Sequence, residues 1–233
     1  MNPETLDHVA LWVADRDRIA DFVTDRVGMH IVDRTDAFTL VGSDARRGKL
    51  TLFAAEGPRE QGALKHIALR VSSLEAAESA LRDGFAIERP RKGEIYFDVS
   101  EGLRLGLVEA PTEVDYDLDH VALFSATPEE TAEAYERLGF APVAPGASEA
   151  PRVEVGNAFI EFHRGEPGDP EQPLLNHLAV KVESAEEHIS EARELGIEID
   201  NIVDAPNTYA VFVWGPERVR VEYVEHKPEF SLT

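Results

Sequence analysis

Four stretches of the sequence share one pattern: Leu6-Asp-His8-Val-Ala-Leu11, Leu64-Lys-His66-Ile-Ala-Leu69, Leu118-Asp-His120-Val-Ala-Leu123 and Leu175-Asn-His177-Leu-Ala-Val180. Their histidines are 58, 54 and 57 residues apart. Each stretch is short, rich in aliphatic side chains and alternating, which is typical of a β-strand. Because a pattern that returns at nearly constant spacing indicates an internal repeat, the chain is predicted to consist of four copies of one module.

A helix is predicted after each of these strands, and its ends can be read from the sequence. Ser184 and Glu187 form a capping-box pattern at the start of one helix. Thr127-Pro128 predicts an N-cap and a first-turn proline for another. A glycine ends each helix 18 to 20 residues after the histidine of its module: Gly28, Gly84, Gly139 and Gly196. The four modules are therefore in register.

The rest of each module contains up to three strands and closes on a triplet with apolar outer residues: Leu50-Thr51-Leu52, Leu105-Gly106-Leu107, Ile160-Glu161-Phe162 and Val221-Glu222-Tyr223. The sequence thus predicts an α+β fold of four tandem β-α-β-β-β modules. A polar, proline-containing stretch over residues 110–117 separates the second module from the third. It predicts a boundary between two two-module domains, residues 1–112 and residues 113–233.

Side chains suited to metal binding recur at two positions of each module. Alternate residues of a strand share a face, so the histidine of the first strand and the middle residue of the closing triplet are candidates for one concave surface. The first half of the chain offers His8, Thr51, His66 and Gly106, and the second half offers His120, Glu161, His177 and Glu222. Two imidazoles and two carboxylates suit a divalent Fe, Mn, Zn, Ni or Co ion. We therefore predict one ion per chain, bound by the second half.

The histidines of the first half are interpreted differently. A lone histidine in an apolar strand is more often a packed, hydrogen-bonded residue than a ligand, so His8 and His66 are interpreted as remnants of duplication. A buried carboxylate without a partner costs several kcal/mol, and a bound ion would remove that cost for Glu161 and Glu222.

Residues around the predicted site give weaker signals. His163 is expected to face away from Glu161 along its strand. An apolar rim is predicted from Phe159, Phe212, Trp214 and Tyr223. No cluster of arginine or lysine marks a phosphate site in the sequence.

The charge balance is strongly acidic, with 45 Asp and Glu against 23 Lys and Arg, a formal net charge of −22. Such a surface repels nucleic-acid phosphates and anionic lipids, so we expect neither as a partner. The acid is spread along the whole chain, which favours adaptation to a high-salt cytoplasm over a basic partner. A cytoplasmic location is expected because no apolar run reaches the roughly 18 residues of a membrane span, no secretory signal is recognisable and cysteine is absent.

These residues resemble the vicinal oxygen chelate superfamily, which includes glyoxalases, epimerases, extradiol dioxygenases and bleomycin-resistance proteins. The resemblance covers essentially the whole chain and rests on the fourfold module, its histidine strand and its closing apolar-Glu-apolar strand. It implies two glyoxalase-like incomplete barrels, each built from two modules, and a metal ion that chelates adjacent substrate oxygens.

The ligands implied by this resemblance combine two branches of the superfamily. His120, His177 and Glu222 match the two-His, one-Glu set of the dioxygenases, whereas Glu161 fills a fourth position that glyoxalases use. The match to dioxygenases fails where they carry a further histidine and a tyrosine, because this chain has Asn157-Ala158 and Phe212 there.

The implied activity is that of a metal-dependent enzyme that stabilises an enediolate or similar oxyanion of a small α-oxygenated carbonyl compound, as a lyase, isomerase or epimerase. Glu161 would then be a ligand and also the catalytic base. Two alternatives stay open: an Fe(II) extradiol-type ring-cleaving dioxygenase, and a resistance-type protein that only binds a small molecule. A small-molecule substrate is the expected partner, and a homodimer is compatible with the sequence.

Overall fold

The computed structural model describes residues 1–43, 48–81, 86–143 and 150–228, and its elements follow the predicted modules. The first module contains β1 (Thr5–Val13), α1 (Arg16–Phe22), β2 (His30–Arg34), β3 (Phe38–Gly42) and β4 (Lys49–Ala54). The second contains β5 (Leu64–Val71), α2 (Leu74–Leu81), β6 (Glu94–Ser100) and β7 (Leu103–Glu109). The third contains β8 (Asp117–Ser125), α3 (Pro128–Glu136), β9 (Ala141–Pro142), β10 (Arg152–Val155) and β11 (Ala158–Arg164). The fourth contains β12 (Leu175–Lys181), α4 (Ala185–Leu195), β13 (Ile199–Asp204), β14 (Thr208–Trp214) and β15 (Arg220–His226).

The helix ends agree with the local sequence signals. Ser184 caps α4, because its Oγ accepts a hydrogen bond from the backbone N–H of Glu187 at 3.3 Å. This helix ends at Gly196, whose φ of 66° lies in the left-handed region that glycine tolerates. Gly28 and Gly139 also have positive φ angles, whereas Gly84 lies outside the described residues.

The strands form two open sheets. An eight-stranded sheet has the order β13-β14-β15-β12-β1-β4-β3-β2, and a seven-stranded sheet has the order β6-β7-β5-β8-β11-β10-β9. Within each module the first and last strands run parallel side by side, for example β1 with β4 and β8 with β11. These sheets are the two incomplete barrels that the resemblance implies, so the predicted fold class is confirmed.

The modules that share a sheet are not the pairs expected from the division of the chain into two halves. Strand β1 pairs with β12, and β5 pairs with β8, both antiparallel. The first module therefore shares a sheet with the fourth, and the second with the third. The expected division into domains 1–112 and 113–233 does not follow these sheets, because the stretch 110–117 connects β7 to β8 within one of them.

The chain passes between the sheets through residues 55–63 and residues 165–174, which run side by side. The backbone N–H of Leu174 donates to the carbonyl of Glu60 at 2.7 Å, and the N–H of Glu60 donates to the carbonyl of Gln172 at 3.2 Å. A single hydrophobic core contains residues of all four modules, so the two sheets pack as one unit. Within the described residues, every helix is too short or too polar to cross a bilayer.

Candidate metal centres

Two groups of three side chains place one ligand atom each within 4.8 Å of one another. The first triad consists of His8, His177 and Glu222, and the second triad consists of His66, His120 and Glu161. In both, the Nε2 atoms of the two histidines face each other, at 3.1 Å in the first triad and 3.0 Å in the second. Each triad therefore resembles a two-His, one-carboxylate metal centre.

The repeated strand pattern explains how both triads arise. In the eight-stranded sheet the alanine two residues after each histidine lies opposite the other histidine: Ala10 pairs with His177, and His8 pairs with Ala179. Ala179 also pairs with Glu222 in the parallel neighbour β15. The same register recurs in the seven-stranded sheet at His66, Ala68, His120, Ala122 and Glu161. Since alternate residues share a face, the small alanines leave room for three ligands on one concave surface.

The prediction of one four-ligand site in the second half is wrong, because the structure separates its members. His177 and Glu222 lie in the first triad, and His120 and Glu161 lie in the second. The third member of each triad comes from the first half of the chain, as His8 and His66, which the sequence analysis had interpreted as remnants of duplication. The physical reason is the pairing of modules: each concave surface joins one strand from either half of the chain.

The donor atoms fit a divalent ion. Asp7 Oδ2, Asp119 Oδ1 and Asn176 Oδ1 lie 2.7 to 2.9 Å from the Nδ1 atoms of their neighbouring histidines. An Nδ1–H that donates to such an oxygen leaves the lone pair on Nε2, where it is available to a metal ion. Two metal–nitrogen bonds of about 2.1 Å at a right angle separate their nitrogens by about 3.0 Å, which matches both pairs. In the first triad all three separations lie between 3.0 and 3.3 Å.

Without a metal, a proton takes the place of the cation in the first triad. Burial lowers the pKa of His8, but hydrogen bonds with Asp7 and Glu222 outweigh it and raise the pKa to about 9. The second triad differs, because burial and the neighbouring His120 lower the pKa of His66 to about 3. Burial raises the pKa of Glu222, yet His177 and His8 lower it to about 2, so this carboxylate is anionic and available as a ligand.

Glu161 in the second triad is drawn towards a further histidine. Its Oε1 lies 2.6 Å from His163 Nε2, but 3.7 and 3.8 Å from the Nε2 atoms of His66 and His120. The expectation that His163 faces away from Glu161 is wrong, because residues two apart in β11 share a face. Burial raises the pKa of Glu161, but the hydrogen bond with His163 and the charge of His120 lower it to about 2.

A tyrosine occupies the fourth ligand position of the second triad. Gly106, the middle residue of its closing triplet, pairs with Tyr96 across β7 and β6, and a Cβ on this glycine would lie only 2.5 Å from Tyr96 Cε1. The ring therefore fills the space of the missing side chain, and its hydroxyl lies 3.4 Å from His120 Nε2. Tyr96 was not among the residues singled out from the sequence. Its position opposite Gly106 is nevertheless equivalent to that of Phe212 opposite Glu222 in the fourth module.

The second triad lies in a cavity of about 270 Å³. The aromatic ring of Phe159 stacks on His120 with 4.6 Å between ring centroids, as the predicted rim requires. Four cationic side chains also line the cavity: Lys65, Arg91, Arg104 and Arg152. These side chains could not be grouped from the sequence, because they come from separate strands and a loop of the second and third modules.

The first triad is held by a buried ionic network. Asp7 Oδ2 lies 2.8 Å from both His8 Nδ1 and Lys49 Nζ, and Asp7 Oδ1 lies 2.9 Å from His226 Nε2. Although burial raises the pKa of Asp7, the charge of Lys49 holds it well below its usual value. Asp7 therefore stays ionised and orients the His8 ring.

The other three predicted rim residues all lie in the eight-stranded sheet. The ring of Phe212 lies 5.1 Å from His177 in the first triad. Trp214 lines a separate cavity of about 420 Å³ that also borders Asn176 and Trp12. Tyr223 is buried in the core and donates a hydrogen bond to the carbonyl of Leu138 at 2.6 Å.

Comparisons with known proteins support the fold, and a family model matches part of the sequence. Residues 5–95 match the family model described as the Glyoxalase/Bleomycin resistance protein/Dioxygenase superfamily. No curated protein matches the chain. Among solved structures, a candidate dioxygenase from Bacillus subtilis subsp. subtilis str. 168 superposes with a TM-score of 0.78 at 17% identity, covering 98% of this chain and 87% of that one. Glyoxalase I from Zea mays gives a TM-score of 0.74 at 17% identity, covering 95% of this chain and 92% of that one.

At this level of identity the solved structures are evidence for the fold alone, while the family model matches the sequence of the first module and most of the second. The solved structures agree with the fold of two open sheets built from repeated modules. Residues 5–95 therefore match the glyoxalase/bleomycin resistance protein/dioxygenase superfamily in sequence, and the whole chain is similar in fold to glyoxalase I from Zea mays.

Proposed function

We propose that the chain is a metal-dependent enzyme that stabilises an enediolate or similar oxyanion of a small α-oxygenated carbonyl compound, as a lyase, isomerase or epimerase, and that the second triad is its catalytic centre. The observation that carries this proposal is the cavity of about 270 Å³ lined by all three members of that triad together with Tyr96 and His163. Ligand side chains and groups able to transfer protons thus meet around a space that fits a small molecule.

His66, His120 and Glu161 would hold the ion of the second triad, and His8, His177 and Glu222 would hold an ion in the first. When bound, a divalent ion supplies Lewis-acid polarisation of substrate oxygens, which lowers the pKa of a proton next to a carbonyl. His66 and Glu161 are both deprotonated at neutral pH, because their pKa values are lowered to about 3 and about 2, respectively. Metal binding therefore does not have to displace a proton from either side chain.

The orientation of His120 depends on two residues behind it. Asp119 Oδ1 lies 2.7 Å from His120 Nδ1, and Asp119 Oδ2 accepts hydrogen bonds from Arg70 Nε at 3.0 Å and a terminal guanidinium nitrogen at 2.8 Å. Because both oxygens of the Asp119 carboxylate are hydrogen-bonded, the carboxylate cannot rotate freely. It therefore keeps the His120 ring in an orientation that directs Nε2 into the cavity.

His163 is better suited than Glu161 to act as the base. A general base works best when its pKa lies near the working pH, whereas the Glu161 carboxyl has a pKa of about 2. Imidazole is the base that enzymes use most often, and because the Nε2–H of His163 donates to Glu161 Oε1 at 2.6 Å, the lone pair on Nδ1 would take up the proton. Glu161 thus keeps the ligand role expected from the sequence, and His163 takes up the substrate proton.

Tyr96 provides a hydroxyl beside the histidine pair, 3.4 Å from His120 Nε2. Burial raises the pKa of Tyr96, and nearby carboxylates add to this shift. The phenol is therefore neutral at physiological pH and can donate a hydrogen bond to a substrate oxyanion.

Ring-cleaving oxygenation at Fe(II) is a second candidate function. It is favoured by a specific observation: each triad offers two histidines and one carboxylate, the set that leaves coordination positions open for substrate and O₂. The four-ligand set that favoured the glyoxalase-like reaction in the sequence does not form in the structure.

The two reactions can be separated by isotope and oxygen measurements on protein loaded with Fe(II), Mn(II), Zn(II), Ni(II) or Co(II). In D₂O, an enediolate-forming enzyme should exchange the α-proton of a small α-hydroxyketone, which NMR detects, without consuming oxygen. Oxygen uptake with catechols and Fe(II), in the absence of proton exchange, would instead establish the dioxygenase. Tight binding of a small molecule by protein that holds no metal would establish the non-catalytic alternative.

The base assignment has its own control. His163→Asn should lower proton exchange about 10²-fold, the usual scale for loss of a general base, while retaining the metal content of the wild type. His30→Asn removes an exposed histidine at the start of β2 and should change neither quantity. Equal exchange rates in the two variants would remove His163 from the mechanism.

A further inference from the structure

We infer that the substrate of the second triad is a small organic anion, and that Lys65 is the residue that binds its carboxylate. This inference rests on the proposed function of the second triad and adds the chemical class of its substrate. It follows from a comparison of equivalent positions in the two sheets.

The residue before the histidine of β5 cannot orient that histidine in the way that its counterpart in β12 does. In the first triad, Asn176 Oδ1 lies 2.9 Å from His177 Nδ1 and orients that ring. Lys65 occupies the equivalent position before His66. An ammonium group carries donors and no acceptor, so Lys65 cannot accept the hydrogen bond that Asn176 accepts. Its side chain instead lines the cavity of the second triad.

An irregularity in β5 explains how neighbours in sequence both reach the cavity. Adjacent residues of a regular strand face opposite sides of the sheet. The register between β5 and β8 shifts between Leu64 and His66, however, and such a bulge re-aims a side chain. Lys65 and His66 can therefore line the same cavity.

The ammonium group of Lys65 lacks a protein partner in the described part of the chain. Lys65 lines the same cavity as His66, His120 and Glu161, which places its charge beside the triad. By contrast, Arg104 is paired with Glu88 at 2.5 Å and Asp98 at 3.1 Å. Lys65 is therefore a cation of this cavity that is available to a ligand.

The charge around Lys65 differs from that of the rest of the molecule. Acidic residues outnumber basic ones 45 to 23 in the chain, whereas four cationic side chains balance the carboxylates of Glu88, Glu94, Asp119 and Glu161 around this small cavity. Partial burial strengthens the attraction between an ammonium group and a carboxylate, and the charge-balanced lining repels an anion less than the acidic surface around it does. A 2-oxo or 2-hydroxy acid combines adjacent oxygens for the metal with a carboxylate for Lys65.

The test uses two ligands that differ only in charge. Benzoylformate and its methyl ester both present adjacent oxygens and lack a proton next to the ketone, so they can bind without enolisation. Binding to zinc-loaded protein is measured by calorimetry for the wild type and for Lys65→Met. We expect benzoylformate to bind the wild type at least tenfold more tightly than the ester, and Lys65→Met to weaken only benzoylformate binding, by roughly 10- to 100-fold.

Two further variants complete the design. Lys65→Arg keeps the charge and should retain most of the preference for the anion. Lys181→Met removes an exposed lysine paired with Glu4 and should leave both affinities unchanged. If Lys65→Met binds benzoylformate as tightly as the wild type while it holds zinc, the role of Lys65 is overturned and the metal centre stands. If the wild type retains no zinc in the second triad, the proposed function fails and this inference fails with it.

Discussion

Replacing Gly106 by alanine tests whether the Tyr96 ring fills the place of a fourth ligand. An ideal Cβ on Gly106 would lie 2.5 Å from Cε1 and 2.8 Å from Cδ1 of that ring. Since carbon atoms in ordinary contact are about 3.5–4.0 Å apart, the ring must move by roughly 1 Å. Tyr96 is only 7% exposed, and its ring centroid lies 4.6 Å from that of His66, so the movement is opposed by the second triad itself.

The expected cost follows from the packing. Overpacking of a buried site typically costs about 1–3 kcal/mol, which in a chain of this size lowers the melting temperature by roughly 3–10 °C. Turnover should fall as well, because the Tyr96 hydroxyl leaves its position 3.4 Å from His120 Nε2. Metal content should be retained, since Gly106 contributes no ligand atom.

Thermal unfolding of Gly106→Ala is best compared with Gly57→Ala, because nothing lies within 4 Å of a Cβ on Gly57. In a Tyr96→Ala background the added methyl group should cost nothing, or stabilise by up to about 1 kcal/mol through the unfolded state. The packing argument would be refuted if Gly106→Ala had the same melting temperature as the wild type. It would also be refuted if the stability change of the double variant equalled the sum of the changes in the two single variants.

Three further outcomes are expected. His66→Ala should lose one of two bound divalent ions and His8→Ala the other, as measured by elemental analysis after reconstitution; a variant that loses both ions or neither contradicts the division into two triads. The metal-free protein should lose stability as the pH falls from about 4.5 towards 2, because the folded-state pKa values of Glu161 and Glu222 are lowered from 4.5 to about 2 and the stabilisation present above 4.5 disappears as each carboxylate is protonated. In Glu222→Gln the melting temperature should fall less steeply over this pH range than in the wild type. An unchanged pH dependence would exclude this carboxylate as the cause. The melting temperature should rise steeply between low and molar KCl, because 45 carboxylates repel one another; a flat profile would remove the interpretation of salt adaptation.

The sequence was sufficient to predict the module and its chemistry, because both depend on short-range rules. Alternation in Leu118–Leu123 predicts a strand, and Ser184 with Glu187 predicts a helix start, without reference to the rest of the chain. The equivalence of four such segments then predicts the fold class. The same alternation puts histidine and glutamate on one face, so four of the six ligand candidates could be named in advance.

The pairing of modules could be decided only in the tertiary structure. All four modules present nearly identical first strands, so the sequence offers β1 both β5 and β12 as partners, and the choice depends on packing between residues far apart in the chain. That choice pairs β1 with β12 and β5 with β8, and it divides one expected metal site into two triads that each combine both halves of the chain. The positions of Tyr96, against a glycine of the neighbouring strand, and of Lys65, at a bulge, depend on the same strand register. Long-range register is not encoded in any local pattern, because a strand fixes which face its side chains take but not the strand that lies beside it.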